Sequence, residues 1–565
     1  MWENVPDFLE LFRNFPVSIS VLFVVPVVLL SGPSSTVMAA HEFPVFRMQQ
    51  YDLHQTQVGS RSSLVNMEAR PLTSDMLTRR CVVTRLSDLT IERFKEAVQT
   101  LGAGAILILL PKNTSIAALE QKEEWQQLER DLLTVEVPVA VYFAYEDKDL
   151  TEIYKDIETA VTSDQAGSAF EALLGVTSTS GYQMVVNVGE TKQIKDMAIT
   201  SLQGKLVGRG IDEQLPTIAI VTHYDAFGIA PSLSFGADDN GSGVVALLEL
   251  ARLFSRLYSD SRMQARYNLV FFLSGAGKFN YQGTKKWLED NLDNPETSVL
   301  SDVDYVLCLD SIGKTDNLFL HVSKPPKEGT LAFSLVEEFK GVAEATFKEM
   351  NFTTIHKKIN LAEDTLSWEH ERFSLHTQRL PAGTLSHYVD PQVFGRSSIF
   401  DVRSPESDTK LERNIAFIAE VLARHIFNFT TKGYPRNMRI FSGSMAVDSN
   451  FVKTWMDYLG SQARAAQLLT KDHPFFTGLE QSFSKFVKDV KRFTAKADRR
   501  DPEFVFYDRP DTTMFAYRVK PAVFDLFLAL GIASYLGLFY LALVNFSILC
   551  ELLPRPVSNM KTKQP

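Results

Sequence analysis

A histidine two residues ahead of an aspartate, His223-Tyr224-Asp225, follows the apolar run Ile218 to Val221. A second acidic pair, Asp238-Asp239, sits in the turn Gly236-Ala237-Asp238-Asp239-Asn240-Gly241-Ser242-Gly243. Imidazole and carboxylate are ligands for a divalent metal, and a metal that activates water needs several of them converging from distant segments. The turn opens a helix-like run, Val244 to Leu257, so its acids are expected at the carboxyl end of a strand, where open α/β sheets keep their sites. A further acid has the same setting, since Leu309-Asp310-Ser311 ends the apolar run from Tyr305. A two-metal hydrolase would need, in addition, a carboxylate base beside the bridging water. After the run Leu269 to Leu273 the chain offers none: it reads Ser274-Gly275-Ala276-Gly277-Lys278. Read as a helix entry alone, the turn also makes sense, with Asn240 or Ser242 capping.

These residues resemble the signature of the dinuclear zinc aminopeptidases, which runs His-x-Asp, Gly-Ala-x-Asp-Asn-x-Ser-Gly, Gly-Glu-Glu, then Asp and a late His. The resemblance implies that His223 and Asp310 stand at terminal-ligand positions, Asp239 at the bridging carboxylate, and Asp225 where it would orient His223. Ala276 and Gly277 fall where the family has its general base and a metal-ligand glutamate. Arg403, in Arg403-Ser404-Pro405-Glu406-Ser407-Asp408-Thr409, falls at the late histidine. Losing the base alone costs about 10²- to 10⁴-fold in rate, and two ligands are missing besides. The expectation is a degenerate site with no catalytic residue, no metal and no cofactor. Asp239 and Asp310 would then face each other without a cation, and Arg403 or Lys278 is expected to supply one.

Strand and helix patterns alternate along the chain, as a mostly parallel, aminopeptidase-like α/β sheet flanked by helices requires. Helix-like Ile91 to Leu101 and Ala117 to Leu133 alternate with strand-like Ala105 to Leu110 and Val137 to Tyr142. A Ser-, Thr- and Gly-rich linker, Ser163 to Gly181, separates this N-terminal α/β lobe from a second one. There, strands are expected at Tyr182 to Val188, Ile218 to Val221, Tyr267 to Leu273, Tyr305 to Leu309 and Leu318 to Val322. Helices are expected at Gly243 to Ser259, Gly283 to Asn291, Thr330 to Met350, Leu411 to Phe427 and Phe451 to Ala495. Glu503 to Tyr517 reads as a short strand pair, and Trp368 to Phe373 as a solvated or salt-bridged turn.

The expected organisation is a signal peptide at 1–40, the α/β lobe at 41–180, the aminopeptidase-like domain at 181–435 and a helical and strand stalk at 436–520. A transmembrane helix at 521–551 and a cytosolic tail at 552–565 complete it. Leu526 to Cys550 carries no charge and is long enough for a bilayer. Val17 to Leu30 suits a secretory signal, which puts the bulk of the chain in the lumen as a single-pass type I protein. The tail Lys561-Thr562-Lys563-Gln564-Pro565 resembles a dilysine retrieval signal of the endoplasmic reticulum. Sequons at Asn113, Asn351 and Asn428 agree with a luminal body, whereas Asn240 lies inside the turn. A net charge of -10 argues against a nucleic-acid partner. Cys81 and Cys308 are expected as free buried thiols, with pairing between them the alternative.

The whole arrangement is similar to the nicastrin-like, catalytically degenerate branch of the aminopeptidase family. That likeness implies a non-catalytic subunit of an endoplasmic reticulum membrane complex, partnered with nodal modulator and a small multi-pass membrane protein. It would act beside the Sec translocon in the biogenesis of multi-pass membrane proteins. An active zinc aminopeptidase, or a peptide receptor using the dead cleft through residues such as Tyr224, are the alternatives.

Overall fold

The computed structural model describes residues 40–545 apart from 113–120, 165–180, 196, 210–214, 261, 264, 294–297, 376–378, 393–394, 499, 501, 509–511 and 520–521. The signal segment, most of the Ser/Thr/Gly-rich linker, the Asn113 sequon, Cys550 and the tail therefore lie outside the described residues.

An eight-stranded sheet carries the site. Its order is Asn351–His356, Asn317–Val322, Ala382–Ser386, Val303–Leu309, Thr217–His223, Asn268–Ser274, Ala198–Leu206 and Lys488–Lys496. The four strands from Ala382 through Asn268 in this order are mutually parallel, so their carboxyl ends share one edge. They read as unbroken apolar runs because both faces are covered. Ile218, Ile220, Phe271, Leu307 and Leu309 meet the helices Gly241–Ser259, Leu331–Ala345 and Glu406–Phe427. The alternate residues Ala219, Val221, Phe272 and Cys308 meet Trp287, Leu288 and Phe373 from the helices Gln282–Asp293 and His370–Leu375. Val221 pairs with Cys308 and His223 with Ser274, which brings His223, Asp310 and the Ser274–Lys278 loop to one level.

The N-terminal lobe closes into a seven-stranded barrel. Around it run His41–Arg47, Thr512–Val519, Gly181–Val186, Val65–Pro71, Cys81–Arg85, Ala105–Leu110 and Ala140–Tyr145, the last pairing back to the first. Cys81 is a free thiol in the barrel core and Cys308 a free thiol in the sheet, each buried in a separate cluster.

Four expectations change. The strand at Gly181–Val186 joins the barrel, not the large sheet. The single helix expected over Phe451 to Ala495 is two helices, Ser449–Gly460 and Pro474–Phe483, followed by the strand Lys488–Lys496. The helix expected to Met350 ends at Ala345, and the polar Asn351–His356 forms an edge strand. The strands Lys488–Lys496 and Thr512–Val519, placed by sequence in a stalk, pair into the large sheet and the barrel respectively.

A shared apolar cluster welds the lobes. Ile229, Ala230, Leu233 and Ile399, from loops at the site, pack with Trp125, Leu128 and Phe94 of the N-terminal lobe. The last element, Ala522–Val544, is a helix of 23 residues. Among the described residues no helix is long and apolar enough to cross a membrane, the side chains of 522–528, 538 and 542 lying outside that set.

Candidate functional site

His223, Asp239 and Asp310 converge at the carboxyl edge of the parallel strands, each offering a ligand atom within 4.8 Å of the others. All are buried. The backbone of the acidic turn is held from below: Asp401 accepts from the N–H groups of Asp238, at 2.9 Å, and Asp239, at 2.7 Å. Asn240 stands at the N-cap position of the helix Gly241–Ser259, but its side chain makes no capping hydrogen bond. Its Nδ2 donates to Thr222 Oγ1 (2.7 Å) and the Leu309 carbonyl (2.8 Å), and its Oδ1 accepts from Ser311 N–H (3.1 Å), joining two strand ends. Ser242 likewise bridges outward, donating to the Asp238 carbonyl and accepting from Ile312 N–H.

The carboxylates are paired with cations. Lys278 Nζ lies 2.5 Å from Asp239 Oδ1, and Arg396 Nη2 lies 2.6 Å from Asp310 Oδ2. The remaining oxygens accept from Ser397 N–H, 2.8 Å from Asp239 Oδ2, and from Ser311 Oγ, 2.8 Å from Asp310 Oδ1. Burial by itself would raise both carboxyls. Lys278 at Asp239 and Arg396 at Asp310 outweigh it and hold both below the ordinary carboxylate range. Arg396 is fixed in turn by the Tyr281 hydroxyl (2.9 Å), the Ser367 carbonyl (2.9 Å) and the face of Trp368 (4.4 Å).

Arg403, expected as the substitute cation, points elsewhere. It pairs with Asp408 at 2.7 Å and Asp457 at 3.0 Å, beyond the site. Asp225 does not orient His223 by a hydrogen bond; its two oxygens accept from Gly277 N–H (2.7 Å) and Lys278 N–H (3.0 Å). His223 Nδ1 instead faces Asn240 Nδ2 at 3.3 Å and Glu369 Oε2 at 3.7 Å, and Nε2 has no hydrogen-bond partner among the described residues. Trp368 to Phe373 is buried, not solvated: Glu369 accepts from Thr284 Oγ1 at 2.5 Å, and burial lowers His370 to about 3. Tyr224 lines no cleft, its ring packing against Phe475 and Phe476.

Position 277 is sterically closed. A Cβ on Gly277 would stand 2.3 Å from both Cβ and Cγ of His223. Ala276 belongs to an apolar cluster with Ile199, Phe279 and Phe506, where the rings of Phe279 and Phe506 stand 4.3 Å apart. A zinc pair does not fit these residues. Every oxygen of Asp239 and Asp310 already has a donor, two cations neutralise them, and the adjoining loop has neither the side chains nor the space for more ligands.

Residues without a local motif complete the framework. Arg464, fully buried, donates to the carbonyls of Tyr224, Phe235 and Gly236, which pins the loop between the first histidine and the acidic turn; with no carboxylate in contact, burial lowers it to about 10. Glu129, from the helix Lys122–Leu132, crosses between lobes to accept from Ile229 N–H (2.8 Å), Ile399 N–H (3.0 Å) and Ser398 Oγ (2.6 Å).

The parallel strands with a His-Asp-Asp convergence at their carboxyl edge make an aminopeptidase-like α/β fold, and the model of peptidase family M28 matches residues 204–388. The crystal structure of nicastrin, the gamma-secretase component, superposes with a TM-score of 0.58 at 12% identity, covering 86% of this chain and 100% of that one. Within that class the chain belongs to the nicalin family. It is 50% identical to BOS complex subunit ncln of Danio rerio over 100% of both chains, and 31% identical to nicalin of Caenorhabditis elegans over 88% of this chain and 89% of that one.

Proposed function

We propose that this chain is a non-catalytic, luminal scaffold subunit of an endoplasmic reticulum membrane complex. The observation that carries the reading is the loop Ala276-Gly277-Lys278: an apolar side chain stands where a base is needed, no side chain fits at the next position, and a lysine neutralises Asp239. A substrate would also have no route in, because His223, Asp239, Asp310 and Glu369 are all fully enclosed. The relatives named as subunits of the BOS complex support a place in a multi-protein membrane assembly. By the family resemblance its partners are nodal modulator and a small multi-pass membrane protein, working beside the Sec translocon.

The proposed topology is a signal at 1–40, a luminal body at 41–520, one membrane helix within 521–551 and a cytosolic tail at 552–565. Two features support it. A 23-residue helix is about 34 Å long, against about 30 Å of hydrocarbon. Leu530, Ile532, Leu536, Leu541 and Val544 are all exposed on it, as lipid-facing side chains would be. The sequons Asn351 and Asn428 are exposed and suit glycosylation, whereas Asn240 is buried.

Affinity capture of the full-length chain from solubilised endoplasmic reticulum membranes, read by quantitative mass spectrometry, tests the reading. Stoichiometric recovery of the two partners is expected, with no aminoacyl hydrolysis in the same preparation. Loss of the partners together with metal-dependent hydrolysis would replace the scaffold by an enzyme.

A further inference from the structure

The convergence of His223, Asp239 and Asp310 has the donor set of a divalent-cation site, and His223 Nε2 is fully buried and unpartnered among the described residues. Two side-chain cations occupy its acids. Lys278 is aimed by its own backbone: Asp225 holds the N–H groups of Gly277 and Lys278, which sets the loop so that the lysine reaches Asp239. Arg396 reaches Asp310 from the opposite loop, and its neighbour Ser397 donates its N–H to Asp239, so one segment serves both carboxylates. Two bases against two acids neutralise Asp239 and Asp310, and the further buried carboxylate, Glu369, faces His223 Nδ1 at 3.7 Å. A divalent ion entering the cluster would add two charges beside two resident ones at low dielectric.

We propose that Lys278 and Arg396 are internal replacements for metal ions, and that the centre is a latent divalent-cation site kept closed chiefly by Lys278. Asp225 is the positioning residue for that lysine. Once the ammonium is removed, Asp239 Oδ1 keeps only the long 3.4 Å hydrogen bond from Ser311 Oγ, His223 Nε2 has no partner among the described residues, and with Asp310 they form a three-donor site for a zinc-class ion. This rests on the non-catalytic reading of the centre and extends it to what holds the centre together.

The full-length protein, Lys278→Ala and Lys278→Met, and the double variant Lys278→Ala/His223→Ala are compared in detergent. Zinc content after equilibration and Tm with zinc or with chelator are the readouts. The parent chain is expected to retain no zinc and to show the same Tm in both conditions. Each single variant should melt about 3 to 5 °C lower in chelator, recover in zinc and retain it stoichiometrically, and the double variant should do neither. Stoichiometric zinc in the parent, or a destabilised single variant that zinc does not rescue, overturns the proposal. If the single variants fold only with zinc in the growth medium, the proposal stands; if zinc does not recover them, it falls. Zinc in the parent without hydrolysis would refute this inference alone, whereas zinc with aminoacyl hydrolysis would refute the scaffold reading as well.

Discussion

Glu129 gives a pH dependence whose sign and size follow from its surroundings. Its carboxylate leaves the N-terminal lobe, enters the seam between the loops at Ile229 and Ile399, and meets only neutral donors there. Burial raises its pKa from 4.5 to about 7, with Ser398 and the two N–H groups opposing the rise. Because the folded value lies above the unfolded one, the folded state binds more protons across the interval from 4.5 to about 7. The contribution is fully present below pH 4.5 and is lost as pH rises towards about 7. The full change is about 3 kcal/mol, which for a body of this size is about 3 °C in Tm. Glu129→Gln keeps the shape and an acceptor but cannot titrate. Thermal melts of parent and variant from pH 4.5 to 7.5 should therefore diverge, the parent losing stability relative to the glutamine variant by about that amount. Parallel profiles would refute the assignment of a neutral-pH carboxyl to the seam.

Gly277→Ala should destabilise by about 1 to 3 kcal/mol through overpacking against His223, and a double-mutant cycle with His223→Gly, which removes both clashing atoms, should recover most of that loss. Arg464→Met should cost about 3 to 5 kcal/mol, because it strands the carbonyls of Tyr224, Phe235 and Gly236; Arg464→Lys should not restore them, since an ammonium cannot span the fork. Denaturant titration followed by fluorescence reads both. Arg403→Ala should change stability by about 1 kcal/mol or less, its partner Asp457 being largely exposed, and a large loss on the same assay would count against its placement outside the site.

What could be read from sequence was what is local. Thr217–His223 and Val303–Leu309 announce themselves because both faces are buried and their composition is uniformly apolar. Lys488–Lys496 and Asn351–His356 did not, because each lies at an edge of the sheet and alternates exposed polar residues with half-buried ones. The site divides the same way. The acidic turn and the missing glutamates lie in contiguous motifs, and Lys278 stands beside the loss it compensates. Arg396, Arg464 and Glu129 act from segments 86 or more residues away from their partners at Asp310, Tyr224 and Ile229. No periodicity or spacing marks them. Naming Arg403 beside Lys278 as a substitute cation followed the motif's linear order, whereas Arg396 takes that place because its loop folds back over Trp368.

The strand Thr512–Val519 fits between His41–Arg47 and Gly181–Val186, so the first and nearly the last strands of the described body are neighbours. During synthesis the barrel stays open until that late strand is made. A chain halted before Thr512 would present two unpaired sheet edges, and one halted before Lys488 would leave the Ala198–Leu206 edge bare as well. Completion of the ring thus reports that the polypeptide has been made almost to the helix Ala522–Val544.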